Sequence, residues 1–186
     1  MDKRFLRQKI LQDCAALSPA QKQSATQQAG ILGFNALEHI RHTMPKKPLY
    51  VAVYHAIRDE LSLSSLIDNL QKNANYQILY PRMNAPDEPL TFHIMQHSEV
   101  VKYGIMQPTA DCPQKIPDVI IFPCVGLSKT GYRLGYGGGF YDRTCALLDS
   151  QNIFYQKLAI IYECQLIHYD DFKQIHDCQI ENAIVI

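Results

Sequence analysis

Two uninterrupted apolar runs, Val119 to Phe122 and Leu158 to Tyr162, constrain this chain more than any other feature. A strand with one wet face alternates apolar and polar residues, and these runs do not alternate. They read as strands covered on both faces, which requires helices above and below a largely parallel sheet. Segments of helical period stand where such a fold needs them. Asp2 to Ala16 places Phe5, Leu6, Ile10, Leu11, Cys14 and Ala15 on one stripe. Ser18-Pro19-Ala20-Gln21 is a capping box with proline at the first helical position, predicting a second helix to about His42 with Ala25, Ala29, Leu32 and Leu37 inward. Pro45 and Pro48 are its expected stop.

Leu49 to Tyr54 then reads as a short buried strand, Leu63 to Ala74 as a helix, and Tyr76 to Tyr80 as a strand stopped by Pro81. Leu90 to Met95 and Ile180 to Ile186 are further strands, and Phe140 to Leu148 is a helix. The prediction is an α/β protein: one domain over residues 1–186, a single-domain Rossmann-like three-layer fold with a mostly parallel central sheet and two N-terminal helices.

Composition narrows the function. Eighteen Lys and Arg balance eighteen Asp and Glu, so no overall field draws the chain to nucleic acid or anionic lipid, and any anion site must be local. No apolar run approaches the roughly 20 residues of a membrane span, and no signal peptide is recognisable, so a cytoplasmic protein is expected. The six cysteines form no C-x-x-C pair and read as small buried hydrophobes of a reducing compartment. His93 and His97 are four apart and His39 and His42 three apart, but no H-E-x-x-H supports catalytic zinc. With no obvious apolar seam, a monomer is expected.

Chemistry concentrates in Pro123 to Arg143, which holds six of the nine glycines. Clustered glycines let backbone N–H groups turn toward an anion, and Arg133 and Arg143 add donors beside them. Gly126 to Gly131 has the glycine spacing of a Walker loop but is followed by Tyr132-Arg133 instead of Lys and Ser or Thr. Gly135-x-Gly137 starts a dinucleotide fingerprint, yet Phe140 occupies the third glycine position. The segment therefore reads as a phosphate cradle of a different construction.

The run Gly131-Tyr132-Arg133-Leu134-Gly135-Tyr136-Gly137-Gly138-Gly139-Phe140-Tyr141-Asp142-Arg143 closely resembles the signature of the 5-formyltetrahydrofolate cyclo-ligase family. Lys3-x-x-Leu6-Arg7, Asp59-Glu60, Pro81-Arg82, Tyr103-Gly104-Ile105-x-x-Pro108 and His176-Asp177 follow the family's order along nearly the whole chain. The resemblance implies ATP- and Mg²⁺-dependent cyclisation of 5-formyltetrahydrofolate to 5,10-methenyltetrahydrofolate, with ADP and phosphate released. It places ATP on Lys3, Arg4, Phe5, Leu6 and Arg7 and on Arg133, Leu134, Gly135, Tyr136, Gly137, Gly138, Gly139, Phe140 and Tyr141. Arg133 and Tyr141 are the implied catalytic residues, and Asp142 and Asp177 the Mg²⁺ ligands. The implied folate positions are His55, Glu60 and Tyr136 to Phe140.

Lys3 and Arg7, four apart on a helix, share a face that Arg4 does not. Tyr54, Tyr80, Phe92, Tyr103, Met106 and Phe122 are candidates for an aromatic wall, each with a core role as the alternative. Arg133 has an ion pair with Asp142 as its alternative role. The chain departs from the family's usual pattern at His55, at Leu127-Ser128 and at Gly138. Two rival functions stay open: a relative that binds nucleotide or RNA without cyclising folate, and another ATP-dependent ligase on the same fold.

Overall fold

The computed structural model describes residues 2–44, 48–101, 104–170, 172 and 177–186. Helix α1, Lys3–Ala16, is capped by Asp2, whose carboxylate accepts from the Arg4 amide, and buries Leu6, Ile10 and Cys14. Phe5 does not join that stripe and is 62% exposed. Helix α2, Pro19–Thr43, starts with the expected capping box between Ser18 and Gln21. Ala25, Ala29 and Leu37 face inward, whereas Leu32 is largely exposed. Pro45 lies outside the described residues.

Strand β1, Leu49–Ala52, pairs in parallel with β2, Tyr76–Arg82, and with β6, Val119–Phe122; β9, Gln156–Ile161, and β11, Asn182–Val185, complete the parallel set. An antiparallel edge strand, β3, Thr91–His93, closes one side, giving the order β11-β9-β6-β1-β2-β3. Counting parallel strands alone, this is the 2-1-3-4-5 order of a doubly wound sheet, whose switch point falls between β1 and β6. Successive residues of the apolar runs face opposite cores. Val119 and Ile121 join α1, α2 and α3 (Ser64–Gln71), whereas Ile120 and Phe122 join α4 (Phe140–Ser150). That two-sided burial is why these strands carry no polar alternation.

The structure corrects several expectations. Pro81 does not stop β2, because there the strand has passed the end of β1 and faces only Phe92 of β3. Proline is tolerated where one neighbour remains. Helix α3 ends at Gln71, short of Ala74, and the Asn73 side chain then accepts from the Asn75 amide. Two small sheets escaped the sequence. Strands β4, Ser98–Val100, and β5, Met106–Pro108, form a hairpin; β7, Gly126–Ser128, pairs with β8, Arg133–Leu134, and with β10, Leu166–Ile167. Strands of two or three residues are too short to show a period.

Five of the six cysteines are buried and all are free thiols. They include two contacting pairs, Cys145 with Cys178 and Cys14 with Cys164. Among the described residues no helix is long and apolar enough to cross a membrane.

Candidate functional site

Crossovers from β1 and β6 leave toward opposite faces, since α3 packs in one core and α4 in the other. The carboxyl ends of these two strands are therefore where a doubly wound sheet places its ligand crevice. The chain beyond β1 supplies residues 55–60 and the chain beyond β6 supplies the glycine-rich segment, so two loops distant in sequence share one end of the sheet.

Beyond β6 the backbone is pinned by Gln165, which sequence reasoning missed. Its buried amide donates to the carbonyls of Cys124 at 2.5 Å and Val125 at 3.2 Å, while its oxygen accepts from the Tyr162 amide. The β7–β8 hairpin then carries Arg133 back under the loop. Its guanidinium is buried between the rings of Tyr141 and Phe122, 5.4 and 5.9 Å from their centroids. Nη2 donates to both carboxylate oxygens of Asp142 at 3.0 Å and Nη1 to the Pro123 carbonyl at 3.3 Å, leaving Nε without a partner among the described residues.

Gly139 adopts the left-handed conformation (φ 68°) that turns the loop into α4, and no side chain caps that helix start. Its first amides remain available to an anion, and Asp142 stands in the same turn. Leu134 is buried in β8 and accepts from Val125; Tyr136, Gly137 and Gly138 are exposed, and Gly135, Phe140 and Tyr141 are half-buried. Arg143, expected as a donor beside the glycine cradle, spends its donors on backbone carbonyls. It lies over the Phe140 ring and donates to the carbonyls of Pro86 at 2.8 Å, Gly138 at 3.0 Å and Glu88 at 3.4 Å. Its hydrogen bonds thus tie the turn before β3 to the glycine loop.

Across the crevice, Glu60 closes its own turn by accepting from the Ile57 amide at 2.9 Å. Burial pushes its carboxyl up to about 7, against the opposing pull of that amide, of the Tyr136 hydroxyl and of Arg58. The Arg58 guanidinium lies over the Tyr136 ring, 5.9 Å from its centroid, and this contact joins the loop beyond β1 to the glycine loop. His55 stacks on Tyr80 with centroids 4.7 Å apart; burial lowers its pKa, and its Nε2 has no partner among the described residues. Tyr54 is buried with its hydroxyl on the Leu61 carbonyl, and Phe92 and Phe122 belong to the core, so these three take the alternative reading. Met106 is on the β5 hairpin, and Tyr103 and His176 lie outside the described residues.

From the N-terminal helix, Arg7 donates to the Gly135 carbonyl at 2.7 Å, and Lys3 pairs with Asp177 at 3.1 Å. Arg4 and Phe5 on the same helix are exposed, and Leu6 is buried. Asp177 precedes Cys178, whose amide reaches Asp142 at 3.4 Å, so the two implied metal ligands, 35 positions apart in sequence, come to one place. Among the described residues no group of three or more His, Cys, Asp or Glu can hold a metal. Two carboxylates nevertheless suit a Mg²⁺ that keeps water and phosphate oxygens as its remaining ligands. The donor set fits an ion arriving with a nucleotide and does not make an all-protein cage.

Comparison with known proteins gives the chain's relatives. The model of the 5-formyltetrahydrofolate cyclo-ligase family matches residues 1–185. The chain is 31% identical over 152 residues to the 5-formyltetrahydrofolate cyclo-ligase of Haemophilus influenzae, covering 73% of this chain and 72% of that protein. It is 32% identical over 142 residues to the Escherichia coli K12 enzyme of the same name, covering 73% and 75%. Among solved structures it resembles a 5,10-methenyltetrahydrofolate synthetase from Mycoplasma pneumoniae, with a TM-score of 0.74 at 26% identity over 99% of this chain and 98% of that one. The Aquifex aeolicus protein of that name shares the fold with a TM-score of 0.78 at 21% identity, covering 100% and 90%.

Proposed function

The chain belongs to the 5-formyltetrahydrofolate cyclo-ligase family, and from that premise we propose that it closes 5-formyltetrahydrofolate to 5,10-methenyltetrahydrofolate at the expense of ATP. The chemistry explains the nucleotide. A formamide is resonance-stabilised, and its oxygen is a poor leaving group. Transfer of the γ-phosphoryl to that oxygen releases ADP and leaves an iminium phosphate. The substrate's own neighbouring amine attacks the formyl carbon, loses its proton to solvent, and phosphate departs with the oxygen. No enzyme nucleophile is needed, so the protein's task is positioning and charge stabilisation.

The glycine loop and the uncapped start of α4 are assigned to the phosphates, with Lys3 and Arg7 at the polyphosphate and Arg133 at the transferred group. Arg133 is already desolvated between two rings and keeps an unpartnered Nε, which favours this role. Tyr141 holds the guanidinium in place, and burial keeps its own hydroxyl protonated and able to donate. Asp142 and Asp177 would hold Mg²⁺ together with phosphate oxygens; the ion would neutralise charge on the nucleotide. Glu60, with the Tyr136 to Phe140 loop and His55 as a wall, is assigned to the pterin. As a carboxylate it accepts from the ring N–H groups.

The observation that carries this reading is the contact between the two loops: the Arg58 guanidinium lies 5.9 Å from the Tyr136 ring centroid, and the Tyr136 hydroxyl favours the charged form of Glu60. It brings the phosphate loop against the proposed pterin acceptor, as a direct transfer from ATP to the formyl oxygen requires. Mixing the protein with 5-formyltetrahydrofolate, ATP and Mg²⁺ should give the absorbance of the methenyl product. Absence of any ATP-dependent product at high enzyme concentration would overturn the proposal.

A further inference from the structure

Tyr136 belongs to the glycine loop and meets the loop beyond β1. Its ring carries the guanidinium of Arg58, 5.9 Å from the centroid, and its hydroxyl favours the charged form of the half-buried Glu60. Arg58 is exposed and, among the described residues, makes no ion pair. Its backbone is left-handed, with φ 54°, a conformation that a long side chain adopts at a cost. The neighbours hold it there. The Glu60 carboxylate and amide bond the amide and carbonyl of Ile57, and Asp59 is tied to Lys22 of α2 at 2.7 Å. A strained turn thus presents an unspent cation at the rim, two residues from the buried carboxyl.

We propose that Arg58 binds the carboxylates of the glutamyl tail of the folate and so sets the preference for a tailed over a neutral substrate. The inference rests on the assignment of Glu60 to the pterin. A pterin held at depth by Glu60 must send its anionic tail outward, and the guanidinium beside the exit carries the complementary charge. A guanidinium with no ion pair among the described residues suits carboxylates in both charge and geometry. Arg58 is then a specificity residue and takes no part in phosphoryl transfer.

The test compares wild type with Arg58→Asn, Arg58→Glu and Arg58→Lys on two substrates: 5-formyltetrahydrofolate, and the matching pteroyl methylamide, which keeps the reacting amine but lacks both tail carboxylates. Asparagine tolerates the left-handed backbone, so that variant removes charge without adding strain. For the folate, KM should rise about tenfold in Arg58→Asn, more in Arg58→Glu, and little in Arg58→Lys. The methylamide should show the same KM in all four proteins, and kcat and the KM for ATP should not move. An equal rise for both substrates, or a rise confined to ATP, would overturn the role of Arg58 while leaving the cyclo-ligase assignment standing. Failure of the wild type to convert 5-formyltetrahydrofolate would overturn both.

Discussion

One guanidinium nitrogen of Arg133, Nη2, lies 3.0 Å from each carboxylate oxygen of Asp142, nine residues later and one helix turn into α4. The pair fixes the start of that helix against the β7–β8 hairpin and holds charge where phosphate is expected. Removing Asp142 leaves the buried guanidinium without its carboxylate, so Asp142→Ala should cost about 2–4 kcal/mol of stability. The double variant Arg133→Met with Asp142→Leu should regain much of that loss yet show less than a hundredth of wild-type turnover. Urea unfolding and the methenyl absorbance assay check both halves. Turnover restored along with stability would remove the pair from the chemistry.

Glu60 and Glu38 should bend the pH dependence of stability in opposite senses. Folding raises the Glu60 carboxyl from 4.5 to about 7, because burial penalises its charge. Its contribution is therefore full below pH 4.5 and lost as pH rises through 7. Glu60→Gln should stabilise the protein at pH 8 by roughly 2–3 kcal/mol while abolishing folate binding. Glu38 is instead lowered to about 2 by hydrogen bonds from Arg41 and Tyr76. Its contribution is full above pH 4.5 and lost as pH falls through 2, so Glu38→Gln should weaken the protein at neutral pH and flatten its acid limb. Denaturant midpoints between pH 3 and 9 give both signs.

Tyr136→Phe removes the hydroxyl that steadies the charged form of Glu60. The Glu60 carboxyl should climb further, moving the titration in kcat/KM for the folate up by roughly one pH unit. The KM for ATP should hold, since the loop backbone is untouched. A pH profile identical to that of the wild type would break the proposed bridge between the two loops.

Gly131 and Gly104 separate strain from collision. Both have positive φ, 89° and 72°, but a Cβ on Gly131 would run into the carbonyl of Ile180, and one on Gly104 meets nothing. Gly131→Ala should cost on the order of 3 kcal/mol and Gly104→Ala about 1 kcal/mol. Because Gly131 sits in the turn that returns the chain to Arg133, the first variant should also raise the KM for ATP. Thermal melts and steady-state kinetics decide it.

Signals within a few residues of one another were legible from the chain alone. The capping box at Ser18, the doubly covered strands around Ile120 and Ile160, and the glycine run before α4 each rest on local backbone geometry or on side chains sharing one face. Pro81 misled because its tolerance depends on which neighbour the strand has at that point, and Phe5 because α1 meets the body over a narrower stripe than its sequence offers.

What only the tertiary structure decided is how distant charges and loops meet. Lys3 reaches Asp177 across 174 positions, Asp142 meets the amide of Cys178, and Gln165 holds the end of β6. No periodicity encodes such pairings, since they depend on strand order and on the direction of each crossover. The raised carboxyl of Glu60 and the unspent cation of Arg58 have the same origin. Residue type sets what a group can do, and burial beside particular neighbours sets which protonation state and which partner it takes.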